Sequence, residues 1–286
     1  MTMKPIHSVG IVGLGLIGGS MARSIKKHTI ATVYAYDLDP EAMALAADAG
    51  AVDAPLTRET LQECDLLLIA IAPSSLVKWV EDHADAIPTT TILVDLCGVK
   101  RYIYKHIAPI ARENGFLYVG GHPMAGKEVS GFANSDRELY RDASMILCPD
   151  ETADEESIDT LKAFFLSLGF GEIVFSTPEE HDRIIAYTSQ LAHAASSAYI
   201  KSPTSRQRMG FTAGSYKDMT RVARLDPEMW TQLFIANRDH MIDELQELVD
   251  NLTGYLDALK ADDSAQLKKL LEEGRDLKIT EPIENC

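Results

Sequence analysis

Three glycines mark the first stretch of this chain equipped for chemistry. Gly13, Gly15 and Gly18 stand as Gly-x-Gly-x-x-Gly directly after the apolar run 8–12, with Leu16 and Ile17 opening the helix that follows. At this spacing the first glycine permits a tight turn. The second lets a pyrophosphate approach the backbone, and the third lets helix and strand pack closely. The helix-start amides then point at the phosphates. A second apolar run, 31–36, ends in Asp37, which falls 19 residues after Gly18, where an acceptor for a ribose 2′-hydroxyl is expected. An ordinary βα turn with a surface aspartate is the plainer alternative. The agreement of glycines, strands and acid favours a dinucleotide site, and the carboxylate favours NAD over NADP.

His122 lies in Gly120-Gly121-His122-Pro123-Met124-Ala125-Gly126-Lys127-Glu128, after the apolar run 116–119. In an open α/β sheet, ligands sit beyond the carboxyl ends of the strands. A neutral histidine there can take a proton from an alcohol as hydride leaves the same carbon; otherwise it is a loop histidine bonded to backbone. Glu128 is either a substrate-contacting or gating acid, or a helix-start residue near the dipole. Further on, Ser189, Gln190 and His193 share one helical face by their i,i+3 and i,i+4 spacing. Such a polar group on an apolar helix needs a ligand, water or another helix as partner. Asp218 and Arg221 are i,i+3 on a short helix, where Arg221 suits bidentate carboxylate binding and Asp218 can orient it; the alternative is a local surface pair. Trp230 reads as core.

Up to residue 177 the pattern alternates. Strands are expected at 8–12, 31–36, 66–71, 91–94, 116–119, 145–148 and 172–175, with helices at 18–27, 40–49, 74–83, 100–113 and 154–168. Continuous apolar runs fit parallel strands covered on both faces. After Ser176-Thr177-Pro178 the strand-like runs stop. Long helices are expected over 178–200, from Asp226-Pro227-Glu228 to about 259, and over 262–276. The fold expected is α/β: an N-terminal Rossmann-type doubly wound domain over 1–177, then an all-α domain over 178–286 that binds substrate and buries its apolar faces in a homodimer.

The chain of 286 residues is 46% hydrophobic, 24% charged and carries a net charge of −16, which argues against nucleic acid as a partner. Residues 201–224 run the other way, with Lys201, Arg206, Arg208, Lys217, Arg221 and Arg224 against the single acid Asp218. That segment is either a solvated or partner-paired basic patch, or an electrostatic funnel for a small anionic substrate. No apolar run is long enough to span a membrane, and residues 1–5 lead straight into the first strand without room for a signal peptide. The four cysteines, Cys64, Cys97, Cys148 and Cys286, have no pairing or metal-ligand spacing. A reduced, cytoplasmic protein without a bound metal is expected.

Gly-Leu-Gly-Leu-Ile-Gly-Gly-Ser at 13–20, Gly-His-Pro-Met-Ala-Gly-Lys-Glu at 121–128, Thr-Ser-Gln-Leu-Ala-His at 188–193, and Asp-Met-Thr-Arg with Asp-Pro-Glu-Met-Trp across 218–230 together resemble the prephenate/arogenate dehydrogenases. The motifs occur in order over nearly the whole chain. The resemblance implies NAD-dependent oxidative decarboxylation of prephenate to 4-hydroxyphenylpyruvate in tyrosine synthesis, or of arogenate to tyrosine. It implies that His122 bonds the ring hydroxyl, that Ser189, His193 and Arg221 line the substrate site, and that Arg221 holds a carboxylate. Where the family commonly has Asp-x-Gly-Ser-Val-Lys, this chain has Asp95-Leu96-Cys97-Gly98-Val99-Lys100. The serine that orients the catalytic histidine is thus absent, and another donor or a water must hold His122. Among other readings, a β-hydroxyacid dehydrogenase needs a lysine where this chain has Ser189 and His193, and a non-catalytic NAD-sensing regulator would bind NAD without turnover. Only residues 277–286 follow the last expected helix, so tyrosine, if it inhibits, is expected to compete at the substrate site.

Overall fold

The computed structural model describes residues 5–280; residues 1–4 and 281–286, with Cys286, lie outside the described residues. An eight-stranded sheet runs in the order β3-β2-β1-β4-β5-β6-β7-β8. Its strands are β1 (Ser8–Val12), β2 (Thr32–Tyr36), β3 (Ala54–Pro55), β4 (Leu66–Ile69), β5 (Ile92–Asp95), β6 (Leu117–Pro123), β7 (Ser144–Pro149) and β8 (Glu172–Phe175). All pairings are parallel except β6 with β7.

The helices between them are α1 (Leu16–His28), α2 (Pro40–Asp48), α3 (Arg58–Leu61), α4 (Pro73–His83), α5 (Arg101–Asn114) and α6 (Glu155–Ser167). Side chains alternate across the sheet with the period of two. Val9, Ile11, Leu66, Leu68 and Val94 pack with Met21 and Ile25 of α1 and Phe165 of α6. Val12, Leu67, Ile69 and Leu93 pack on the other face with Leu76 and Val80 of α4 and Ile103 and Ile107 of α5. The unbroken apolar runs of the central strands follow from this double cover. The N-terminal Rossmann-type architecture expected from the sequence is the one observed.

A helical layer follows: α7 (Pro178–Ile185), a π-helical turn (Ala186–Leu191), α8 (Ala192–Tyr199), α9 (Gly214–Thr220) and α10 (Pro227–Ala236). Thr177 caps α7, its side chain accepting from the Glu180 amide, with Pro178 in the first turn. Compactness divides the chain after Arg238, the first residue of α11 (Arg238–Lys260), and the second unit holds the rest of α11 and α12 (Ser264–Thr280). Within it, Tyr255 donates to the Leu270 carbonyl at 3.1 Å, and Ile242, Leu245, Val249, Leu252 and Leu256 are exposed along α11. Among the described residues, no helix is long and apolar enough to cross a membrane, and no group of three or more His, Cys, Asp or Glu is arranged to hold a metal ion.

Four local expectations change. The helix expected over 178–200 carries the π turn at Ala186–Leu191. The helix expected from Asp226 to 259 breaks at Asn237. This fully buried side chain donates to the Asp182 carbonyl at 2.7 Å and to Gln190 Oε1 at 2.9 Å, and accepts from Arg101 at 3.1 Å. Arg221 opens a 3₁₀ turn just past α9 and does not share its helix with Asp218. Finally, β6 runs on through Pro123, so His122 lies on a strand and pairs with Ile146 of β7. Gly120 and Gly121 look like a loop in the sequence but serve close approach: a Cβ on Gly121 would stand 2.7 Å from the Asp95 carbonyl oxygen.

Candidate active site

The β1–α1 turn is built for a phosphate. Gly13 has φ +91°, and its amide donates to the Tyr36 carbonyl at 2.8 Å. A Cβ on Gly18 would fall 1.8 Å from the Gly13 oxygen, so helix and turn close only on glycine. Gly15 faces open space, with nothing within 4 Å of where its Cβ would stand. It is the N-cap of α1 and no side chain caps that helix, which leaves the amides of Leu16 and Ile17 at a positive helix end. At the end of β2, Asp37 accepts from the Leu14 amide at 2.6 Å and from the Asp39 amide at 2.8 Å. Its carboxylate is thereby fixed beside the turn. An open backbone cradle with a carboxylate at the neighbouring strand end fits a dinucleotide.

Half-buried on β6, His122 places Nδ1 2.9 Å from Nε2 of His181. Nδ1 of His181 in turn lies 2.7 Å from Oδ1 of Asp182. Both residues open the helical layer on α7 and are buried, Asp182 at 0% exposure. The Asp182 carboxylate also accepts from the backbone amides of Lys100 at 2.7 Å and Arg101 at 2.9 Å, where α5 begins. Burial pushes the His122 pKa well below its ordinary value, and the neighbouring His181 and Lys100 push the same way. Burial also lowers His181, outweighing the Asp182 bond that favours its charged form. For Asp182 burial works upward, but the bonds from His181 and the two amides bring the carboxyl below its usual range. Behind this row, the fully buried Asp95 pairs with Lys100 and accepts from the Tyr118 hydroxyl at 2.8 Å.

The helical layer supplies the other candidates. His193 Nδ1 meets the Ser189 carbonyl at 2.9 Å, and its ring stacks on Trp230 with centroids 3.7 Å apart. Burial lowers the His193 pKa, the Ser189 carbonyl opposes this, and Arg221 reinforces it. Trp230 is therefore not core alone: with His193, Lys201 and Phe234 it lines a cavity of about 290 Å³ between α8 and α10. Arg221 is paired with Glu128, tying the segment after β6 to the end of α9. Asp218, expected to orient Arg221, is exposed, and the ion pair at Arg221 is made by Glu128. Gln190 is 1% exposed, and its amide is held by Asn237 and the Leu233 carbonyl. It ties the π turn to the end of α10.

Sequence reasoning missed His181 and Asp182. Adjacent helical residues do not face one another, so the pair formed no recognisable constellation. A buried His-Asp dipeptide in the first two turns of a capped helix was the available signal.

The sheet order, the glycine turn and the histidine at the end of β6 are those of a Rossmann-type oxidoreductase. One family model, "Prephenate dehydrogenase, nucleotide-binding domain", matches residues 21–174, and a second, "Prephenate dehydrogenase, dimerization domain", matches residues 177–273. The chain belongs to the prephenate dehydrogenase family. It is 26% identical over 282 residues to the prephenate dehydrogenase of Bacillus subtilis, covering 96% of this chain and 76% of that one. It is 27% identical to the cyclohexadienyl dehydrogenase of Zymomonas mobilis, covering 97% of each. In structure it is similar to A. aeolicus prephenate dehydrogenase, solved with hydroxyphenyl propionate and NAD⁺, with a TM-score of 0.85, 24% identity and coverage of 97% and 99%. Synechocystis arogenate dehydrogenase is similar too, at a TM-score of 0.77, 24% identity and coverage of 95% and 98%. At these identities the two structures speak to the fold alone.

Proposed function

We propose that this chain is an NAD-dependent prephenate dehydrogenase, acting as a homodimer in a reducing, cytoplasmic setting, with its domain boundary at residue 177. The observation that carries the reading is His122, kept neutral by burial at the carboxyl end of β6. Gly13, Gly15, Leu16, Ile17, Gly18 and Asp37 would hold NAD, which would supply the hydride acceptor. His122 takes the proton of the ring C4 hydroxyl as hydride departs from C4, the ring carboxylate leaves as CO₂ with its bonding pair entering the ring, and His122 returns the proton to the phenolate oxygen. Aromatisation of the ring to 4-hydroxyphenylpyruvate drives the reaction. His193 and Ser189 face the ring from the helical layer. Arg221 exchanges Glu128 for a substrate carboxylate, drawn by the exposed cations of 201–224. The buried free thiols Cys64, Cys97 and Cys148 suit the reducing setting.

The test is initial-rate NADH formation with prephenate and with arogenate, each with NAD⁺ and NADP⁺. A higher kcat/KM with prephenate and NAD⁺ supports the proposal. Preference for arogenate replaces the substrate while keeping the site, and turnover of neither ring substrate overturns it.

A further inference from the structure

Gly98 stands where the motif this chain resembles has the serine that orients the histidine. A Cβ there would lie 3.8 Å from His122 Nε2 and 3.7 Å from Leu233 Cδ2, so Gly98 offers the Nε2 edge no hydrogen-bonding side chain. The anchor is on the opposite edge. Asp182 is an ionised acceptor, already receiving two backbone amides, so it must receive Nδ1–H from His181. A neutral His181 then has a bare Nε2, which can only accept. The partner 2.9 Å away is His122 Nδ1, which must therefore carry its hydrogen. With both rings neutral, as their burial favours, each has one donor and one acceptor nitrogen, and the row has one arrangement.

We propose that His181 and Asp182 are positioning residues that lock His122 as the Nδ1–H tautomer, with the Nε2 lone pair on the Gly98 side of the ring. The lock rests on the reading of His122 as the proton acceptor, which it deepens. The proton of the substrate hydroxyl passes to Nε2. The Nδ1 hydrogen stays on His122, bonded to His181, and Asp182 stabilises the resulting imidazolium without becoming protonated. The row thus places a fixed negative charge two bonded partners from the reacting centre, and its own orientation is set by the start of α5. Lys100 has two parts in this: its amide holds Asp182, and its side chain is pinned by Asp95 on the far side.

The test combines imidazole ¹⁵N NMR of the full-length protein, needing no substrate, with kinetics of His181→Gln and His181→Ala. The wild type should show His122 protonated at Nδ1 and His181 protonated at Nδ1 at neutral pH. In His181→Gln the amide oxygen still accepts from Nδ1–H, so kcat should stay within about tenfold of wild type. In His181→Ala the lock is gone, and kcat should fall by about 10²-fold or more with KM within threefold, by analogy with the loss of correct tautomer in a triad. Thermal unfolding of both variants separates misfolding from misorientation, and if His181→Ala does not fold, the wild-type spectrum and His181→Gln still decide. A wild-type His122 protonated at Nε2, or equal kcat values for His181→Ala and wild type, overturns the lock. A locked spectrum without ring-substrate turnover overturns the function proposed and leaves the lock standing.

Discussion

Replacing Glu128 with Gln separates its two possible roles. In the structure its carboxylate is paired with Arg221, the group proposed to receive a substrate carboxylate. The side chains are 34% and 65% exposed, so the pair is screened and belongs with surface ion pairs worth about 0.2–1 kcal/mol. If substrate must displace Glu128 from Arg221, that same energy opposes binding. Removing the carboxylate while keeping the shape then lowers KM by about 1.4- to 5-fold, at tenfold per 1.4 kcal/mol. Turnover should be unchanged, since the pair is broken in ground and transition states alike. The assay is initial-rate NADH formation over a prephenate series at two ionic strengths, and added salt should shrink the difference. Arg221→Ala, as companion, should raise KM with kcat nearly constant. A Glu128→Gln enzyme with a raised KM would refute the competition and make Glu128 a substrate contact.

His122→Asn should lower kcat by about 10²–10⁴-fold with little change in KM, measured by steady-state kinetics, because proton acceptance is felt in the transition state. Asp37→Ser should narrow the preference for NAD⁺ over NADP⁺, read as the ratio of kcat/KM values, since the carboxylate meets a 2′-phosphate as a like charge. Stability should fall as pH drops from about 7 to 5 in thermal melts. His122, His181 and His193 are all lowered on folding, so below an unfolded pKa of about 6.5 the unfolded chain binds more protons than the folded one, and protonation favours unfolding. His181→Gln should flatten part of that slope.

The sheet was legible because its central strands are buried on both faces, which forces unbroken apolar runs such as Leu66-Leu67-Leu68-Ile69. β3, a two-residue edge pairing at Ala54–Pro55, is too short to leave a pattern. The end of β6 was hidden by Gly120 and Gly121, whose residue type signals a turn while their actual work is to admit the β5 backbone and Lys100. The cofactor turn was readable from spacing, since Gly13 and Gly18 answer steric demands within a few residues. The surroundings of His122 were not, because its partners come from 59 and 60 residues away on another element. Gln190 shows the same limit: periodicity places it near His193 but gives no sign of its bond to Asn237, 47 residues on. Local geometry reads from sequence, whereas hydrogen-bond partners brought together by packing do not.

If oxidation and decarboxylation are coupled on His122, product stoichiometry with prephenate and NAD⁺ shows it. NADH by absorbance, CO₂ by trapping and 4-hydroxyphenylpyruvate by chromatography should form one to one to one, and in His122→Asn all three should slow together by the same factor. NADH without an equivalent of CO₂, or full turnover in His122→Asn, would rule out His122-coupled decarboxylation.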